Sequence, residues 1–127
     1  MKMPITILIV DDEEIVHKLI RVALKGFGDF VFLAAKDGAE GLKIAREYSG
    51  DIDLLISDVV MPGRMNGIEM AGLLSESRPE MKVVLMSGYA PEEVTMRPEW
   101  HFIQKPFPVL EIRDRIGNIL DRPSVAA

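Results

Sequence analysis

Five short apolar runs punctuate the chain: ITILIV (5–10), VFLAA (31–35), DLLIS (53–57), KVVLM (82–86) and HFIQ (101–104). None alternates strictly between apolar and polar residues, the pattern of strands covered on both faces rather than one. The stretches between them carry helical spacing. Ile15, Leu19 and Ala23 run beside Val16, Ile20 and Leu24; then come Leu42, Ala45 and Tyr48, and Ile68, Ala71 and Leu74. Each set predicts an amphipathic helix. A last helix places Val109, Ile112, Ile116 and Ile119 or Leu120 on one face, and Asp37 before Gly38-Ala39 is the N-cap expected for the second. Between Ser87 and Phe102 a fourth helix has only PEEVTMRPEW and its neighbours, with Pro91 near its start and Pro98 near its end. That helix is expected to be short.

Strand and helix therefore alternate five times. Strand–helix–strand crossovers within one sheet are nearly always right-handed, so five units fit an α/β doubly wound parallel sheet, for which the strand order 2-1-3-4-5 is common. The sequence does not itself fix that order. At 127 residues the chain has room for one domain with a core sufficient to fold unaided. The expected organisation is a domain over 4–122 and a tail over 123–127.

Composition narrows the partners. Fifteen basic against 20 acidic residues leave a formal charge of −5, which disfavours nucleic acid or an anionic membrane as direct partner. The absence of cysteine leaves no disulfide framework or thiolate zinc site and fits a reducing, cytoplasmic location. The opening run ends at Asp11 to Glu14, far short of a membrane span.

The chemistry sits just past the apolar runs: Asp11 and Asp12 after the first, Asp58 after the third, Ser87 after the fourth and Lys105 after the fifth. In parallel strands these positions share the carboxyl edge, where open α/β sheets bind ligands. Asp11 to Glu14 are four consecutive acids at a helix start, more than capping and the helix dipole require. With Asp58 beside them, the like charges call for a cation. Oxygen donors without histidine or cysteine favour Mg²⁺, Mn²⁺ or Ca²⁺, with Mg²⁺ preferred because it uses one or two carboxylates and keeps exchangeable waters. A carboxylate facing such a metal beside an ammonium is the arrangement of a phosphoryl-accepting nucleophile. Asp58 is that carboxylate and Lys105 that ammonium, with Ser87 a hydroxyl able to donate to phosphate. A cis Lys105-Pro106 bond would aim the lysine over the cleft. His17 and His101 are read as structural or surface residues, and Trp100 as a fluorescence reporter near Phe102.

The pieces ILIVDDEE, SDVVMPGRMNG, LMSGYA and QKPF, in that order, resemble the receiver domains of two-component response regulators, of the CheY-like superfamily. The resemblance runs from about Ile5 to Leu120 and implies a flavodoxin-like (βα)5 fold. It also implies that Asp58 takes a phosphoryl group from a phosphohistidine on a sensor histidine kinase or a histidine phosphotransfer protein. Mg²⁺ would be held by Asp12, Asp58 and the backbone carbonyl of Val60, with Asp11 supporting the site. Ser87 and Lys105 would bind phosphoryl oxygens, and Phe102 would turn inward as Ser87 shifts. The signal would leave through the face built from the fourth helix, fifth strand and fifth helix, where receivers dock output proteins or a second copy. Such a domain catalyses only its own phosphorylation and dephosphorylation.

The loop MPGRMNG is one residue longer than the commonest family form and is similar to loops of receivers attached to sensor kinases, which points to a phosphorelay. Val60 and Tyr89, two beyond Asp58 and Ser87, are apolar where they would flank the phosphoryl group. Three alternatives compete. An aspartyl phosphatase or phosphomutase resembles D-x-D-x-T after the first strand, which Asp11-Asp12-Glu13 does not supply. A flavodoxin-like mononucleotide binder needs Ser, Thr and Gly where this chain has acids. A degenerate receiver would bind partners without phosphorylation.

Overall fold

The structure is a computed structural model and describes residues 4–89 and 95–120. Five parallel strands, β1 (Ile5–Val10), β2 (Phe30–Ala35), β3 (Leu54–Asp58), β4 (Lys82–Ser87) and β5 (His101–Gln104), form one sheet in the order β2-β1-β3-β4-β5. Among the described residues four helices lie between and after them: α1 (Glu14–Leu24), α2 (Gly38–Glu47), α3 (Gly67–Ser77) and α4 (Val109–Ile119). The order and the parallel sense agree with the sequence reading. The short helix expected between the fourth and fifth strands falls largely on residues 90–94, outside the described residues, as does the tail over 123–127.

The unbroken apolar runs are explained by burial on both sides. Along β1, Ile7 and Ile9 join Val16, Ile20, Ala23 and Leu24 of α1 and Ile112, Ile116 and Ile119 of α4 in one apolar cluster. Leu8 and Val10 join Leu42 and Ala45 of α2 and Met70, Ala71 and Leu74 of α3 in the other. Because successive strand residues point to opposite faces, a strand covered on both sides takes mostly apolar residues, Thr6 being the one polar residue in β1. A buried Leu or Ile in either layer stabilises the fold by about 1.5–3 kcal/mol relative to exposure.

The helix starts follow from local polar chemistry. Asp37 caps α2 by accepting the Glu40 N–H at 2.8 Å, as the sequence suggested. Asn66 and Glu69 form a reciprocal capping box at the start of α3, each side chain satisfying a main-chain N–H at the other residue (2.8 and 3.0 Å). At the far end of the same pair of helices, Arg78 donates to the carbonyls of Ala45, Tyr48 and Gly50 at 2.8–2.9 Å. The C-terminal carbonyls of α2 thus find a partner they lack within the helix.

Two helix faces differ from the periodicity reading. In α1, Val16, Ile20, Ala23 and Leu24 are buried, but Ile15 is exposed and His17 lies inside. In α3, Met70 joins Ala71 and Leu74 in the buried set, while Ile68 is only partly covered. Both faces keep most residues of the expected spacing but are turned away from its first member, Ile15 in α1 and Ile68 in α3.

Candidate functional site

Strand register brings the polar residues to one level. Val10 pairs with Ser57, so Asp11 and Asp58 emerge side by side; Asp58 pairs with Met86 and Ser87 with Gln104, so Ser87 and Lys105 follow one step further on. The adjacent strands β1 and β3 flank the point where the winding reverses, the crevice in which doubly wound sheets bind ligands. Lys105 follows β5 through a cis Lys105-Pro106 peptide, and its main-chain N–H donates to the Ser87 carbonyl at 2.7 Å.

The side chains converge. Lys105 Nζ lies 2.9 Å from Asp11 Oδ2 and 3.2 Å from Asp58 Oδ2, with Glu13 Oε1 at 3.8 Å. Asp11 is fully buried (0% exposed) and Asp58 nearly so (8%), whereas Asp12 is exposed. Asp11 is held twice more, its Oδ1 accepting the Glu13 N–H at 2.8 Å and its own N–H donating to Ala35 O at 3.1 Å. Glu13, the residue preceding α1, makes no side-chain capping bond. The acids are therefore not explained as a helix cap.

Burial pushes the Asp58 carboxyl above its ordinary value; the Lys105 charge opposes this, the Asp11 charge adds to it, and a hydrogen bond from the Val60 main chain opposes it further. Burial acts to lower the Lys105 ammonium, but its hydrogen bond to Asp11 and the charges of Asp11 and Asp58 outweigh that, and its value is raised. The lysine is thus firmly cationic and the acids share it. Asp11, Asp12 and Asp58 each offer a carboxylate oxygen, and these oxygens all lie within 4.8 Å of one another. An all-oxygen acidic cluster of this size fits a hard divalent cation, Mg²⁺ before softer metals.

Ser87 is buried and its Oγ accepts the Tyr89 N–H at 3.1 Å, which leaves the hydroxyl proton available to another acceptor. Phe102 points inward and shares an apolar cluster with Trp100 and Leu85, while the Arg97 guanidinium covers the Trp100 ring at 5.0 Å. Val60 and Tyr89 stand out into solvent, 58% and 57% exposed.

Two residues that matter here were not read as part of the site from sequence. Gly67, the first residue of α3, packs so tightly on β3 that an added Cβ would lie 2.9 Å from Ser57 Oγ and closer still to the Asp58 carbonyl oxygen. His17 is buried, and its Nε2 lies 2.9 Å from the Asp11 carbonyl oxygen. Gly67 had a visible signal, a glycine placed after Asn66 within a turn-rich loop, but the carbonyl it approaches leaves no mark in the sequence. His101, by contrast, lies at the start of β5 away from this cluster.

Comparison with known proteins agrees with this geometry. Residues 7–117 match the response regulator receiver domain family. The chemotaxis protein CheY of Treponema pallidum (strain Nichols) is 31% identical over 92% of this chain and 83% of its own length. The sensor kinase CckA of Brucella abortus (strain 2308) is 32% identical over 92% of this chain, which spans only 13% of that kinase. A crystal structure of the receiver domain from hybrid histidine kinase CckA superposes with a TM-score of 0.69 at 34% identity, covering 91% of this chain and 98% of that one. No helix among the described residues is long and apolar enough to cross a membrane. Acids at the switch point, a lysine bridging them and a family match spanning nearly every element leave one assignment: the chain belongs to the response regulator receiver domains, the phosphoacceptor signalling domains of two-component regulators and hybrid kinases.

Proposed function

We propose that Asp58 is the phosphoacceptor, and that it takes its phosphoryl group from a phosphohistidine on a sensor histidine kinase or a histidine phosphotransfer protein. The observation that carries this reading is the single ammonium of Lys105 shared between Asp11 and Asp58, a cation already aimed at the carboxylate that would react. An Asp58 carboxylate oxygen attacks phosphorus, the P–N bond breaks, and the imidazole nitrogen leaves with the electron pair. The product is an acyl phosphate on Asp58. Its hydrolysis by water at phosphorus breaks the new P–O bond and regenerates the carboxylate, so the domain times its own signal and is no general phosphatase.

Mg²⁺, held by Asp12, Asp58 and the Val60 carbonyl with Asp11 in support, would neutralise charge on the transferring oxygens. Lys105 then exchanges its bond to Asp58 for one to a phosphoryl oxygen, and the Ser87 hydroxyl donates its free proton to another. Phosphorylation adds acceptor oxygens and charge, which favour the arrangement in which Ser87 is drawn toward the phosphate with Phe102 inside, a bias on a pre-existing equilibrium. The output surface is the face around β5 and α4, read by a partner protein or a second copy of the chain. The receiver unit spans 4–122, with 123–127 a tail. The likeness to the CckA receiver and the long MPGRMNG loop support a place in a phosphorelay.

Intact mass after incubation with Mg²⁺ and a small acyl-phosphate donor tests this. One phosphoryl adduct is expected, absent from Asp58→Ala and from a sample with chelator. Wild type that binds Mg²⁺ yet gains no adduct would instead identify a receiver that works by constitutive contacts.

A further inference from the structure

His17 is a buried polar residue that the chemistry above leaves unused. It is 4% exposed, on the buried face of α1, and its Nε2 lies 2.9 Å from the Asp11 carbonyl oxygen. A carbonyl can only accept, so Nε2 is the donor, which in a neutral imidazole leaves Nδ1 an acceptor. That Nδ1 is buried without a hydrogen-bond partner among the described residues. A bare buried acceptor costs folding free energy, so packing alone gives no reason for an imidazole here in place of an apolar side chain of similar volume.

The acceptor of its one bond supplies the reason. The Asp11 carbonyl belongs to the planar peptide unit whose other end is the Asp12 N–H. A bond to that carbonyl fixes ψ of Asp11, the torsion that sets where Asp12 and its carboxylate stand relative to Asp11. Asp11 N–H still belongs to the sheet through Ala35 O, but its carbonyl leaves the ladder and is taken by His17. The bond thus ties the rigid helix α1 to the peptide at which the chain quits β1, between the two acids.

We propose that His17 is a positioning residue for the acidic pocket: its Nε2–H bond to the Asp11 carbonyl holds the Asp11-Asp12 peptide plane and so the orientation of the carboxylates toward a divalent cation. His17 acts through Asp11 and touches neither metal nor phosphoryl group. The inference rests on the pocket binding Mg²⁺, as read above.

The experiment is calorimetric titration of the full chain with Mg²⁺, alongside thermal unfolding without metal, for wild type, His17→Met, His17→Leu and His17→Gln. The two apolar replacements delete the donor but also delete the unpartnered Nδ1, so their metal-free Tm should stay near that of wild type. Their Mg²⁺ affinity should fall about tenfold, the lower end of what loss of a ligand-orienting bond produces. His17→Gln, whose amide N–H reaches a similar distance along the side chain, should restore most of the affinity. Unchanged affinity in both apolar variants would overturn the inference. So would loss of the folded state in both, which would make His17 a folding residue, or His17→Gln binding as weakly as His17→Met. A wild type that binds no Mg²⁺ would overturn the underlying reading itself, and is recognised before any variant is made.

Discussion

Gly67→Ala is the substitution for which the structure gives the sharpest expected cost. An added Cβ would stand 2.9 Å from Ser57 Oγ and 3.0 Å from the Asp58 carbonyl carbon, and would overlap the Asp58 carbonyl oxygen. The severest overlap is with the Asp58 main chain in β3, the middle strand of the sheet, so moving the Ser57 side chain cannot relieve it. Relieving the overlap requires α3 and β3 to part by on the order of 1 Å to reach an ordinary C···O contact distance. It also stretches the Gly67 N–H bond to Val59 O, now 2.9 Å. Overpacking costs about 1–3 kcal/mol and sometimes more; with immobile backbone as the obstacle the upper value applies. For a chain of this size about 3 kcal/mol lowers Tm by roughly 10 °C.

Two other glycines calibrate that figure. Gly72 lies in the same helix, and a Cβ there meets only Arg97 Nη2 at 3.4 Å, so Gly72→Ala should stabilise by about 0.5–1 kcal/mol through helix propensity. A Cβ at Gly41 meets Met70 Sδ at 2.7 Å and Val10 Cγ2 at 3.1 Å; the thioether can shift, and the cost should be about 1 kcal/mol. Urea unfolding followed by far-UV circular dichroism measures all three. A Gly67→Ala protein within about 0.5 kcal/mol of wild type, below the overpacking range, or one less affected than Gly41→Ala, would refute the reasoning. Because the displaced atoms belong to Asp58, Gly67→Ala should also slow phosphoryl uptake.

Lys105→Met removes the cation between the buried carboxylates of Asp11 and Asp58. The metal-free Tm should fall while the rise on adding Mg²⁺ grows; an unchanged metal-free Tm would show that the ion pairs contribute nothing net. Val60 stands exposed two residues beyond Asp58, and its apolar bulk should hinder water, so Val60→Asn should lose its phosphoryl group faster than wild type. Equal or slower decay by intact mass over time would contradict that role. Burial, then the charges of Arg115 and Lys82, lower the His101 imidazole below its usual value. The unfolded chain therefore binds the proton more readily, so the stability due to neutral His101 is fully present above about pH 6.5 and is lost as pH falls through the lowered folded value. His101→Gln should flatten the decline of Tm between neutral and mildly acidic pH, and an unaltered slope would count against it.

The parts legible in the sequence were those written in a repeating signal. ITILIV and HFIQ match β1 and β5 residue for residue, VFLAA and KVVLM fall one residue short at one end, and DLLIS is shifted by one from β3, because strands buried on two faces leave a run that polar residues must bound. The site was legible for a related reason: strand ends are defined by where apolar residues stop, and parallel strands put those ends together. What escaped was contact that leaves no periodic trace. His17 breaks the apolar stripe of α1, and only a carbonyl at the end of another element explains its burial. Gly67 reads like any turn glycine until the carbonyl it rests on is in view. Ile15 belongs to the helical spacing yet faces solvent, since a spacing of three and four residues fixes a stripe's width better than its rotation.

Arg78 gives the fold a division of mechanical labour. Its guanidinium reaches three carbonyls at residues 45, 48 and 50 from the segment just beyond α3, at the amino edge of the sheet, opposite the acids. Five N–H donors in one rigid plane make it a brace rather than a tether. One half of the molecule, α2 with α3, is thereby clamped at its base, while at the other edge Gly67 wedges α3 against Asp58. Held at both ends, that half acts as the anvil against which an event at Asp58 is struck. On the proposed phosphorylation of Asp58, displacement would therefore fall on the β4–β5 edge that carries Ser87 and Phe102.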